Sequence, residues 1–550
     1  MKCSFIFEYV SAKGHGILTE ERSSDSSAQL TIADDGRRRT VKLFAKEDIE
    51  VRGYRESSHD FFEKVEKEKK DKKGDLWFMN GYQSWTDTKE FYISEREKNV
   101  SRLPKFLINS FAFDRYGDAL FYSYSKKYLH GYDLFYVKGS INGFAASLNS
   151  DNAFLIFTLD RESGEVAISS DLSGLTLQAG EEYTVCDYIY AGSFDEGQLL
   201  FDLCFPKKQP EKIFGYTSWY NYYQDISEQV ILRDLSALDS RFNLFQIDDG
   251  YETFVGDWLD VDPAKFPSGL SPIVDKIHEK GLMAGLWLAP LVAEEKSRLF
   301  KEKPDFFKKD ENGQPVKCGA NWSGFYALDL EKHEVRDYIA GCLRQYSAMG
   351  FDFFKLDFLY AASLPSYKGK TRARAAAEAY AFLRECLPGK LILGCGATLS
   401  SAVGKFDYMR IGPDVSLKFD DVWYMRFMHR ERVSTKVTLQ NTVYRSILNC
   451  RYFGNDPDVF LLRDNNLSLS PEQKRALITI NALFGSVMMT SDNIAEYDDG
   501  KKALLADSLG LFKNAEAVGY GRDKNIISIT CRCGDDAKIL KYDTKKGVLL

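Results

Sequence analysis

Histidine and clustered cysteine are scarce in this chain of 550 residues. Its six histidines never fall at metal-ligand spacing from one another or from a cysteine, so the sequence predicts no structural zinc site. The ten cysteines are scattered, and only Cys531 and Cys533 lie close together. This distribution indicates reduced thiols in the protein core rather than a disulfide framework.

Long apolar segments and strongly basic segments are absent as well. The chain has no stretch of about 18 uninterrupted apolar residues, and the N-terminus lacks the apolar core of a signal peptide. The net charge is -7, and the one dense charge run, Glu63 to Asp75, mixes both signs as a solvated loop or helix face does. These absences predict a soluble cytoplasmic protein with no membrane and no nucleic acid partner.

Three regions with different patterns follow one another along the chain, which is longer than a single domain of about 100–200 residues. Residues 1–205 contain short alternating or aromatic runs between turn residues, which predict an N-terminal β-sandwich. Residues 206–495 alternate between strand-like and helix-like segments. Residues 496–550 return to short strand patterns, which predict a small C-terminal all-β domain. The sequence therefore predicts a multidomain protein.

The middle region predicts a (β/α)8 TIM barrel. Helical periodicity separates the strand-like segments, most clearly in Asp225 to Leu238, Glu334 to Met349 and Arg372 to Leu387. Eight strands in sequential βα order suit a barrel of about 250 residues with insertions. A doubly wound sheet is the alternative, but no Gly-rich phosphate loop follows any strand. The predicted strands are Phe214–Trp219, Phe242–Ile247, Met283–Leu288, Phe351–Leu356, Leu391–Cys395, Tyr408–Ile411, Val459–Leu462 and Ser486–Met489.

The segment Phe351 to Tyr360, FDFFKLDFLY, carries the central functional signal. An apolar strand ends in Lys355 and Asp357, and the strand period of two places both side chains on one face. Charges are rarely buried in such a strand without a partner or a task. These ten residues alone fit a structural ion pair at the strand end as well as they fit a functional pair.

Carboxylates, cations and aromatic residues recur at the predicted C-terminal strand ends, where a barrel places its chemistry. Carboxylates and lysine bind ring hydroxyls while an indole covers the apolar face of a pyranose, so the set predicts a sugar site. Each member also has a structural explanation as a turn aspartate, a packed indole or thiol, or part of a salt-bridged loop. The strand ends carry Trp219, Asp248, Asp249, Trp287, Lys355, Asp357, Cys395, Arg410, Asp414, Arg463, Asp464, Ser491 and Asp492.

Nine motifs follow one another from about residue 80 to residue 465: NGYQSW, GYTSWYNYY, FQIDDGY, GDWLDVDPAKFPSGL, GLWLAP, KLDFLY, LGCGAT, RIGPDVS and NDPDVFLLR. In this order they resemble glycoside hydrolase family 36, the bacterial α-galactosidases, in its compact single-barrel form. Tyr82 and Tyr216 stand where the family more often has tryptophan, and Thr217 stands where it often has cysteine. These departures bear on fine specificity and leave the catalytic pair of the family intact.

The resemblance implies a retaining exo-α-galactosidase that acts by double displacement. Asp357 would be the nucleophile and Asp414 the acid and base, with carboxyl groups about 5–5.5 Å apart. Lys355 beside Asp357 would help to keep the nucleophile ionised. The resemblance implies no cofactor and no metal, and the expected substrate is an α-galactoside oligosaccharide of the melibiose or raffinose type.

The resemblance also assigns polar contacts to the sugar, residue by residue. Asp248 and Asp249 would bind O4 and O6 of galactose, and Lys355 would bind on the O3 or O4 side. Arg410 and Cys395 would border O2. These contacts would select the axial O4 of galactose.

The aromatic contacts follow from the same motifs. Trp287 would stack on the sugar ring and Trp219 would line the pocket. Trp85 would reach over from the β-sandwich to close it. The pairs Asp257-Trp258 and Asn321-Trp322 are weaker candidates for the rim, each equally explained as loop structure.

Several alternatives stay open from the sequence. A metal-dependent hydrolase could use Asp248, Asp249 and Asp357 as ligands, although lysine at the central carboxylate and the lack of histidine at strand ends argue against it. Within the family, an α-N-acetylgalactosaminidase or an α-galactosyl transferase is possible, and a non-catalytic sugar-binding relative is the last alternative. The compact form suggests a monomer or a small homo-oligomer.

Overall fold

A computed structural model describes most of the chain. The described residues are 4–58, 63–64, 74–364, 369–420, 422, 425 and 427–550. Of the mixed-sign run from Glu63 to Asp75, residues 65–73 lie outside the described residues, so the loop or helix prediction for the run stays untested. No helix in these described ranges is long and apolar enough to span a bilayer.

The N-terminal region forms two antiparallel sheets that enclose a common core. The strand Arg38–Ala45 illustrates why, because Val41, Leu43 and Ala45 alternate inward at period two while Lys42 and Phe44 face outward. One sheet contains Ser4–Ser11, Gly14–Thr19, Ile49–Ser58, Tyr128–Tyr132, Leu155–Asp160, Val166–Ser170 and Thr176–Leu177. The other contains Ala28–Asp34, Arg38–Ala45, Glu63–Lys64, Leu76–Met79, Lys89–Tyr92, Leu134–Lys138, Ile141–Ser147 and Glu182–Ala191.

The middle region forms a curled parallel sheet, like that of a TIM barrel. The two end strands of this sheet, Gly454–Asp456 and Val459–Phe460, are separated by only two residues, so the sheet curves round until its ends meet. The predicted strands all occur within a few residues of their expected bounds. In spatial order the strands are Gly454–Asp456, Tyr408–Arg410, Leu391–Gly394, Phe353–Leu356, Met283–Leu288, Leu244–Ile247, Ile213–Thr217, Val487–Thr490 and Val459–Phe460.

Helices connect these strands and pack an apolar face on the sheet. The helix His333–Met349 buries Val335, Ile339 and Leu343 and ends at Gly350, whose φ of 111° suits glycine. The described helices of the chain are Lys105–Ser110, Phe194–Cys204, Trp219–Tyr222, Glu228–Ala237, Ser271–Glu279, Arg298–Glu302, His333–Met349, Arg372–Cys386, Thr435–Tyr444, Pro471–Phe484 and Asp499–Asn514, with short 3-10 turns at Pro304–Phe306, Leu359–Ser363, Ser400–Ala402, Arg445–Leu448 and Ile494–Glu496.

The helix predicted from Asp225 begins later than expected. It spans Glu228–Ala237, and Ser227 caps it by accepting a hydrogen bond from the backbone N–H of Val230 at 3.4 Å. Serine at this position satisfies an orphan donor of the first turn, so the start expected at Asp225 was wrong.

The C-terminal segment is not all-β, which corrects the prediction for residues 496–550. Its first part is the helix Asp499–Asn514, capped by Asp498 and packed on the helix Pro471–Phe484 through residues that include Leu505, Leu509 and Phe512. The apolar residues of this helix recur at helical spacing, a period that the sequence analysis missed. A four-stranded antiparallel sheet follows, with strands Ala515–Asp523, Ile526–Cys533, Asp536–Asp543 and Val548–Leu549.

A small antiparallel sheet lies in the connection after the strand Met283–Leu288, the third strand of the curled sheet in chain order. It brings aromatic residues to the edge of the curled sheet at which that strand ends. Its strands are Val292–Glu294, Lys317–Gly319 and Phe325–Ala327. The turn between the last two strands holds Trp322 in a left-handed conformation with a φ of 53°.

Candidate active site

The parallel strands bring the predicted polar residues to one edge of the curled sheet. Trp287 lies beside Lys355 in strand register, and Arg410 lies beside Asp456. Because the carboxyl ends of parallel strands meet at one edge, the residues that follow them reach the same region. Asp357, directly after Lys355 and Leu356, donates its backbone N–H to the carbonyl of Leu288 at 2.8 Å.

Asp248 and Lys355 form a buried ion pair. Lys355 Nζ donates to Asp248 Oδ2 at 2.9 Å, and the same oxygen accepts from Gln246 Nε2 at 2.7 Å and from Thr217 Oγ1 at 3.0 Å. Burial by itself would lower the pKa of Lys355, but the negative charge of Asp248, helped by that of Asp357, raises it above its usual range. Lys355 therefore neutralises Asp248 first and acts on Asp357 from further away, whereas we expected it to serve Asp357.

Hydrogen bonds fix both oxygens of the Asp357 carboxylate. The backbone N–H of Phe358 donates to Oδ1 at 2.8 Å, and the indole N–H of Trp287 donates to Oδ2 at 3.1 Å. Phe358 adopts a left-handed φ of 55°, which is uncommon outside glycine and marks a strained turn after the strand. The two donors therefore fix the orientation of the Asp357 carboxyl group.

The hydrogen bond to Asp357 also fixes the position of the Trp287 side chain. Its side chain is nearly buried, and Trp258 and Trp322 meet it edge-on at ring-centroid distances of 5.9 Å and 6.2 Å. Its stacking on a sugar ring stays a prediction, whereas orienting Asp357 is a role that the motif GLWLAP did not reveal.

Asp414 faces a buried arginine. Arg410 Nη1 donates to Asp414 Oδ1 at 3.0 Å, and the side chain of Asp414 keeps 35% of its surface exposed although it lies deep in the protein. Burial raises the pKa of Asp414, and the negative charge of Asp357 adds to the rise. Arg410 opposes this rise but does not cancel it, so Asp414 holds a proton to higher pH than an ordinary aspartate.

Asp458 supports Asp414 from behind and was missed by the sequence analysis, although it lies in the motif NDPDVFLLR. Its Oδ2 accepts the hydroxyl of Tyr220 at 2.6 Å and the backbone N–H of Val415 at 2.7 Å. Arg410 Nη2 lies 2.8 Å from Oδ1. Burial raises the pKa of Asp458 to about 7. The negative charge of Asp414 adds to this rise, and the positive charge of Arg410 opposes it. Asp458 lies between the strands Gly454–Asp456 and Val459–Phe460 and has a φ of 72°, a left-handed conformation that the sequence pattern does not signal.

Asp249 is held by side chains from two other loops. Trp322 Nε1 donates to its Oδ2 at 2.9 Å, and Gln224 Nε2 donates to its Oδ1 at 3.1 Å. Burial raises the pKa of Asp249, and the neighbouring charge of Asp248 adds to the rise. Glu252, also missed from the sequence, lies buried beside Asp249, and burial with the charge of Asp249 raises its pKa well above the usual range.

Of the two weaker aromatic candidates, Trp322 reaches the site and Trp258 supports it. Trp258 is buried against Trp287, and the preceding Asp257 accepts the backbone N–H groups of Arg298 and Leu299 at 2.7 Å and 2.9 Å. Asp257 therefore caps a short helix and carries no contact to the site.

Cys395 and Trp219 occupy different surroundings. Cys395 is completely buried, and burial with the negative charge of Asp357 raises the pKa of its thiol well above the usual range. Such a thiol is no nucleophile. Trp219 is half-buried, and Tyr223 meets its ring edge-on at 5.1 Å. The contacts predicted for these two residues with the sugar stay predictions.

Arg463, Asp464 and Asp492 do not belong to the site although they follow predicted strands. Arg463 Nη1 donates to Asp492 Oδ1 at 2.8 Å, and Asp492 Oδ2 accepts the hydroxyl of Tyr497 at 2.7 Å, so this is a buried structural pair. Asp464 lies on the surface beside Lys474.

A loop from the N-terminal region packs on the edge of the candidate site. Trp85 meets Phe358 edge-on at 5.3 Å and Tyr360 at 5.7 Å. Its ring presses on Gly396, where an added Cβ would lie 2.8 Å from the indole. The indole N–H of Trp85 is buried and has no hydrogen-bond acceptor within the described part of the chain.

Arg445 fastens this loop to the barrel. The side chain is completely buried and donates to the carbonyl groups of Gly81, Gln83 and Ser84 in the N-terminal loop, and also to that of Ile411 in the barrel. Burial lowers its pKa to about 9. The same guanidinium thus connects the loop of Trp85 with the strand end that carries Arg410.

The residues present fit no metal ion. Asp248 Oδ2 already accepts three side-chain donors, one of them cationic, and Asp249 accepts an indole and an amide, so the two carboxylates face donors rather than a cation. Among the described residues, no group of three or more His, Cys, Asp or Glu side chains could hold a metal. The nine described cysteines are free, and Cys3 lies outside the described residues.

The site therefore combines two carboxyl groups in different surroundings. Asp357 accepts two hydrogen bonds that fix its orientation, whereas burial raises the pKa of Asp414 above that of an ordinary aspartate. Different surroundings for two carboxyl groups are what a nucleophile and a general acid need when they act on one bond.

Comparison with known proteins agrees with this geometry. The family model described as Melibiase matches residues 207–385. The α-galactosidase Mel36A of Lactobacillus acidophilus is 29% identical over 209 residues, which are 34% of this chain and 27% of that protein. The alignment thus spans little more than a quarter of the length of this curated relative.

Two solved structures share the fold over nearly the whole chain. TtGalA, an α-galactosidase from Thermus thermophilus in complex with p-nitrophenyl α-D-galactopyranoside, has a TM-score of 0.70 and 25% identity, covering 92% of this chain and 95% of that one. The GH36 α-galactosidase AgaA from Geobacillus stearothermophilus has a TM-score of 0.60 and 13% identity, covering 98% and 81%, and at this identity it speaks for the fold alone. The chain is therefore similar to the melibiase family over residues 207–385, and its fold is similar to that of α-galactosidases over nearly its whole length.

Proposed function

We propose that the chain is a retaining exo-α-galactosidase that removes terminal α-D-galactosyl residues from oligosaccharides of the melibiose and raffinose type. The observation that carries the proposal is the pair Asp357 and Asp414 at the strand ends, where two hydrogen bonds orient the Asp357 carboxyl group and burial raises the pKa of Asp414. The fold shared with an α-galactosidase that binds an α-galactoside supports the choice of sugar.

In the first step Asp357 attacks the anomeric carbon and the glycosidic bond breaks. The leaving oxygen takes the proton of Asp414, and a β-linked galactosyl ester forms on Asp357. In the second step Asp414, now ionised, removes a proton from water as that water attacks the anomeric carbon. The ester bond to Asp357 breaks and releases its carboxylate, so two inversions give net retention of the anomeric configuration. The raised pKa of Asp414 suits the first role, and the nearby Arg410 stabilises its ionised form in the second.

The buried carboxylates beside the catalytic pair serve sugar recognition in this proposal. Asp248 Oδ1 accepts only a backbone N–H, that of Asp249 at 3.0 Å, among the described contacts, so it has capacity left for a hydroxyl such as O4 or O6. Asp249 and Lys355 complete this polar wall, and Arg410 and Cys395 border O2. Such a fixed wall discriminates well, because the epimer that lacks the matching hydroxyl leaves buried polar groups unpaired.

Aromatic residues close the proposed pocket. Trp287 covers the ring and Trp219 lines the mouth. The indole N–H of Trp85, which has no acceptor among the described residues, offers a hydrogen bond to the substrate. No cofactor enters the reaction, since carboxylates alone stabilise the oxocarbenium-like transition state.

We also propose the finer domain division and setting. Residues 1–205 form an N-terminal β-sandwich domain, residues 206–495 a catalytic (β/α)8 barrel, and residues 496–550 a separate C-terminal domain. The enzyme works in the cytoplasm on short imported oligosaccharides, as a monomer or small homo-oligomer.

The test is hydrolysis of p-nitrophenyl α-D-galactopyranoside by the wild type and by Asp357→Gly, with and without azide. We expect the substitution to lower kcat by about 10⁴-fold to 10⁶-fold. Azide should restore turnover and yield β-galactosyl azide, because the small anion replaces the missing carboxylate. Asp464→Gly, at an exposed carboxylate outside the site, is the matched control and should keep wild-type kcat.

Two outcomes would contradict the proposal in different ways. Full activity of Asp357→Gly would refute the mechanism. An inactive wild type would refute the α-galactosidase assignment, and the N-acetylgalactosaminide would then be the substrate to assay. Unchanged activity in a chelator would separate this mechanism from metal-dependent hydrolysis.

A further inference from the structure

We propose that a cation-lined cavity at the junction of the three parts of the chain binds a small phosphate-bearing anion. The cavity has a volume of about 510 Å³. Its walls come from the strand Lys89–Tyr92 and the loop after it, the helix Thr435–Tyr444 and the loop before it, and two turns of the C-terminal sheet. None of the strand-end residues described for the active site lines it, so this inference does not rest on the proposed function.

The cavity is strongly positive in a chain that is negative overall. Eight lysine and arginine side chains line it against four carboxylates, while the whole chain has a net charge of -7. A concave wall of one sign concentrates its potential and attracts ions of the opposite charge. The expected ligand is therefore an anion.

The carboxylates of the cavity are largely occupied by their own partners. Arg522 binds Glu95 with two nitrogen atoms, each at 2.9 Å, and Arg432 binds Asp420. Glu97 Oε2 lies 2.6 Å from Nδ1 of His130. The fourth carboxylate, Asp87, has no ion pair in the described ranges, and burial raises its pKa above the usual value.

Several cations of the cavity have no such partner. Arg96, Lys98 and Lys545 are exposed and make no ion pair with any described residue. His429 also lines the cavity, and burial together with the charges of Lys98 and other cations lowers its pKa. The part of the cavity wall that carries these side chains therefore has an excess of positive charge.

A buried guanidinium in the wall of the cavity, that of Arg430, also indicates an anion. Its side chain is only 8% exposed, and its guanidinium lies over the ring of Tyr124 at 4.8 Å. Nε has no hydrogen-bond acceptor among the described residues, and Oε1 of Glu431 lies 3.9 Å from it. A buried charged donor without an acceptor costs about 1–3 kcal/mol or more, and a bound anion that reached Nε would remove this cost.

The volume and the donor types specify the ligand class. A cavity of this size holds a small molecule rather than a polymer, since such pockets measure about 300–1000 Å³. Guanidinium and ammonium groups that converge from several loops match the three strongly accepting oxygens of a phosphate group. Free phosphate or pyrophosphate and a phosphorylated sugar share this chemistry.

The experiment is calorimetric titration of the full chain with sodium pyrophosphate at about 0.15 M salt. We expect one binding site in the wild type and a Kd that rises about tenfold or more in Lys98→Gln/Lys545→Gln, because two charge-assisted contacts are lost. The control Lys276→Gln/Lys513→Gln removes two exposed lysines away from the cavity and should change Kd less than about twofold.

Parallel titrations with inorganic phosphate and with glucose 6-phosphate distinguish free phosphates from phosphorylated sugars as the ligand. Tighter binding of the hexose phosphate would assign the cavity to phosphorylated sugars, and tighter binding of pyrophosphate would assign it to free phosphates. Absence of binding by all three probes would overturn the proposal, as would equal Kd values in the double variant and its control. Arg96→Gln provides a second exposed variant if the first does not fold.

Discussion

Lys355 Nζ lies 2.9 Å from Asp248 Oδ2, although Asp357 is the carboxylate nearest to Lys355 in sequence. The cation therefore pairs with the buried carboxylate of Asp248, and the hydrogen bonds from Trp287 and Phe358 hold Asp357 instead. The ion pair lies in the floor of the candidate site, where each charge depends on the other.

Removing the lysine should expose this dependence. We expect Lys355→Met to lower the free energy of unfolding by about 3–5 kcal/mol, because Asp248 would keep a buried charge without its cation. The double variant Asp248→Asn/Lys355→Met should lose less than the sum of the single losses. Urea unfolding measures these values, with Lys276→Met as the exposed control. Additive losses would show that the two charges do not interact.

Asp458 should control the acidity of Asp414 without touching substrate. In Asp458→Asn, Arg410 loses one of its anionic partners and interacts more strongly with Asp414, so the pKa of Asp414 should fall. We therefore expect the alkaline limb of the kcat/KM profile to move to lower pH, with kcat/KM reduced by about 10-fold to 100-fold at its maximum.

The pH profile separates this positioning role from a general loss of structure. Tyr220→Phe, which removes a neutral donor to Asp458, should lower activity with a smaller shift of the alkaline limb. A uniform loss of activity at every pH in Asp458→Asn would contradict the role assigned to Asp458.

Gly396 should be intolerant of a side chain because of Trp85. Gly396→Ala would place a Cβ 2.8 Å from the indole at a left-handed φ of 60°, and we expect a loss of about 1–3 kcal/mol in stability together with a raised KM. In the Trp85→Ala background the same change should cost only the backbone strain, about 1 kcal/mol. Equal losses in the two backgrounds, measured by thermal unfolding, would exclude the contact.

His130 should make stability depend on pH in the neutral to alkaline range. Burial alone would lower the pKa of His130, but Glu97 and Asp118 at 2.6 Å and 2.8 Å raise it to about 9. The stabilisation of the fold by protonated His130 is complete below the pKa of histidine in the unfolded chain, about 6.5. It disappears as the pH rises through about 9, the pKa of His130 in the folded protein. We expect the stability penalty of His130→Gln to shrink by about 3 kcal/mol between pH 6 and pH 9.5.

Denaturant unfolding at several pH values measures this dependence. His278→Gln, at a histidine that is exposed beside Asp352, is the control and should show a much smaller change with pH. A penalty for His130→Gln that is the same at pH 6 and pH 9.5 would mean that the imidazole is neutral in the native protein.

The sequence was informative where a local pattern decides the structure. Apolar runs predicted the barrel strands, and Gly350 predicted the end of a helix, because backbone preference and burial act within a few residues. The strand-end rule then collected Asp248, Asp357 and Asp414 into one site, since parallel strands share a direction.

Partners across loops could not be predicted in the same way. The choice of Asp248 by Lys355, the support of Asp249 by Trp322 and the position of Asp458 depend on how separate loops pack. The helix Asp499–Asn514 was missed for another reason, because its apolar spacing was interpreted as the short strands that follow it.

The contacts of Arg445 limit which homologues could exchange their N-terminal regions. Its donors join residues 81, 83 and 84 to a barrel strand end, and Asn441 Nδ2 donates to the carbonyl of Thr86 at 3.0 Å, so segments more than 350 positions apart in sequence form one wall. A chimera that takes its first domain from one homologue and its barrel from another would mismatch this wall unless both parents carry the same contacts. Changes in residues 80–86 are therefore coupled to changes at Asn441 and Arg445, so a mutation in the N-terminal region can reshape the edge of the candidate site.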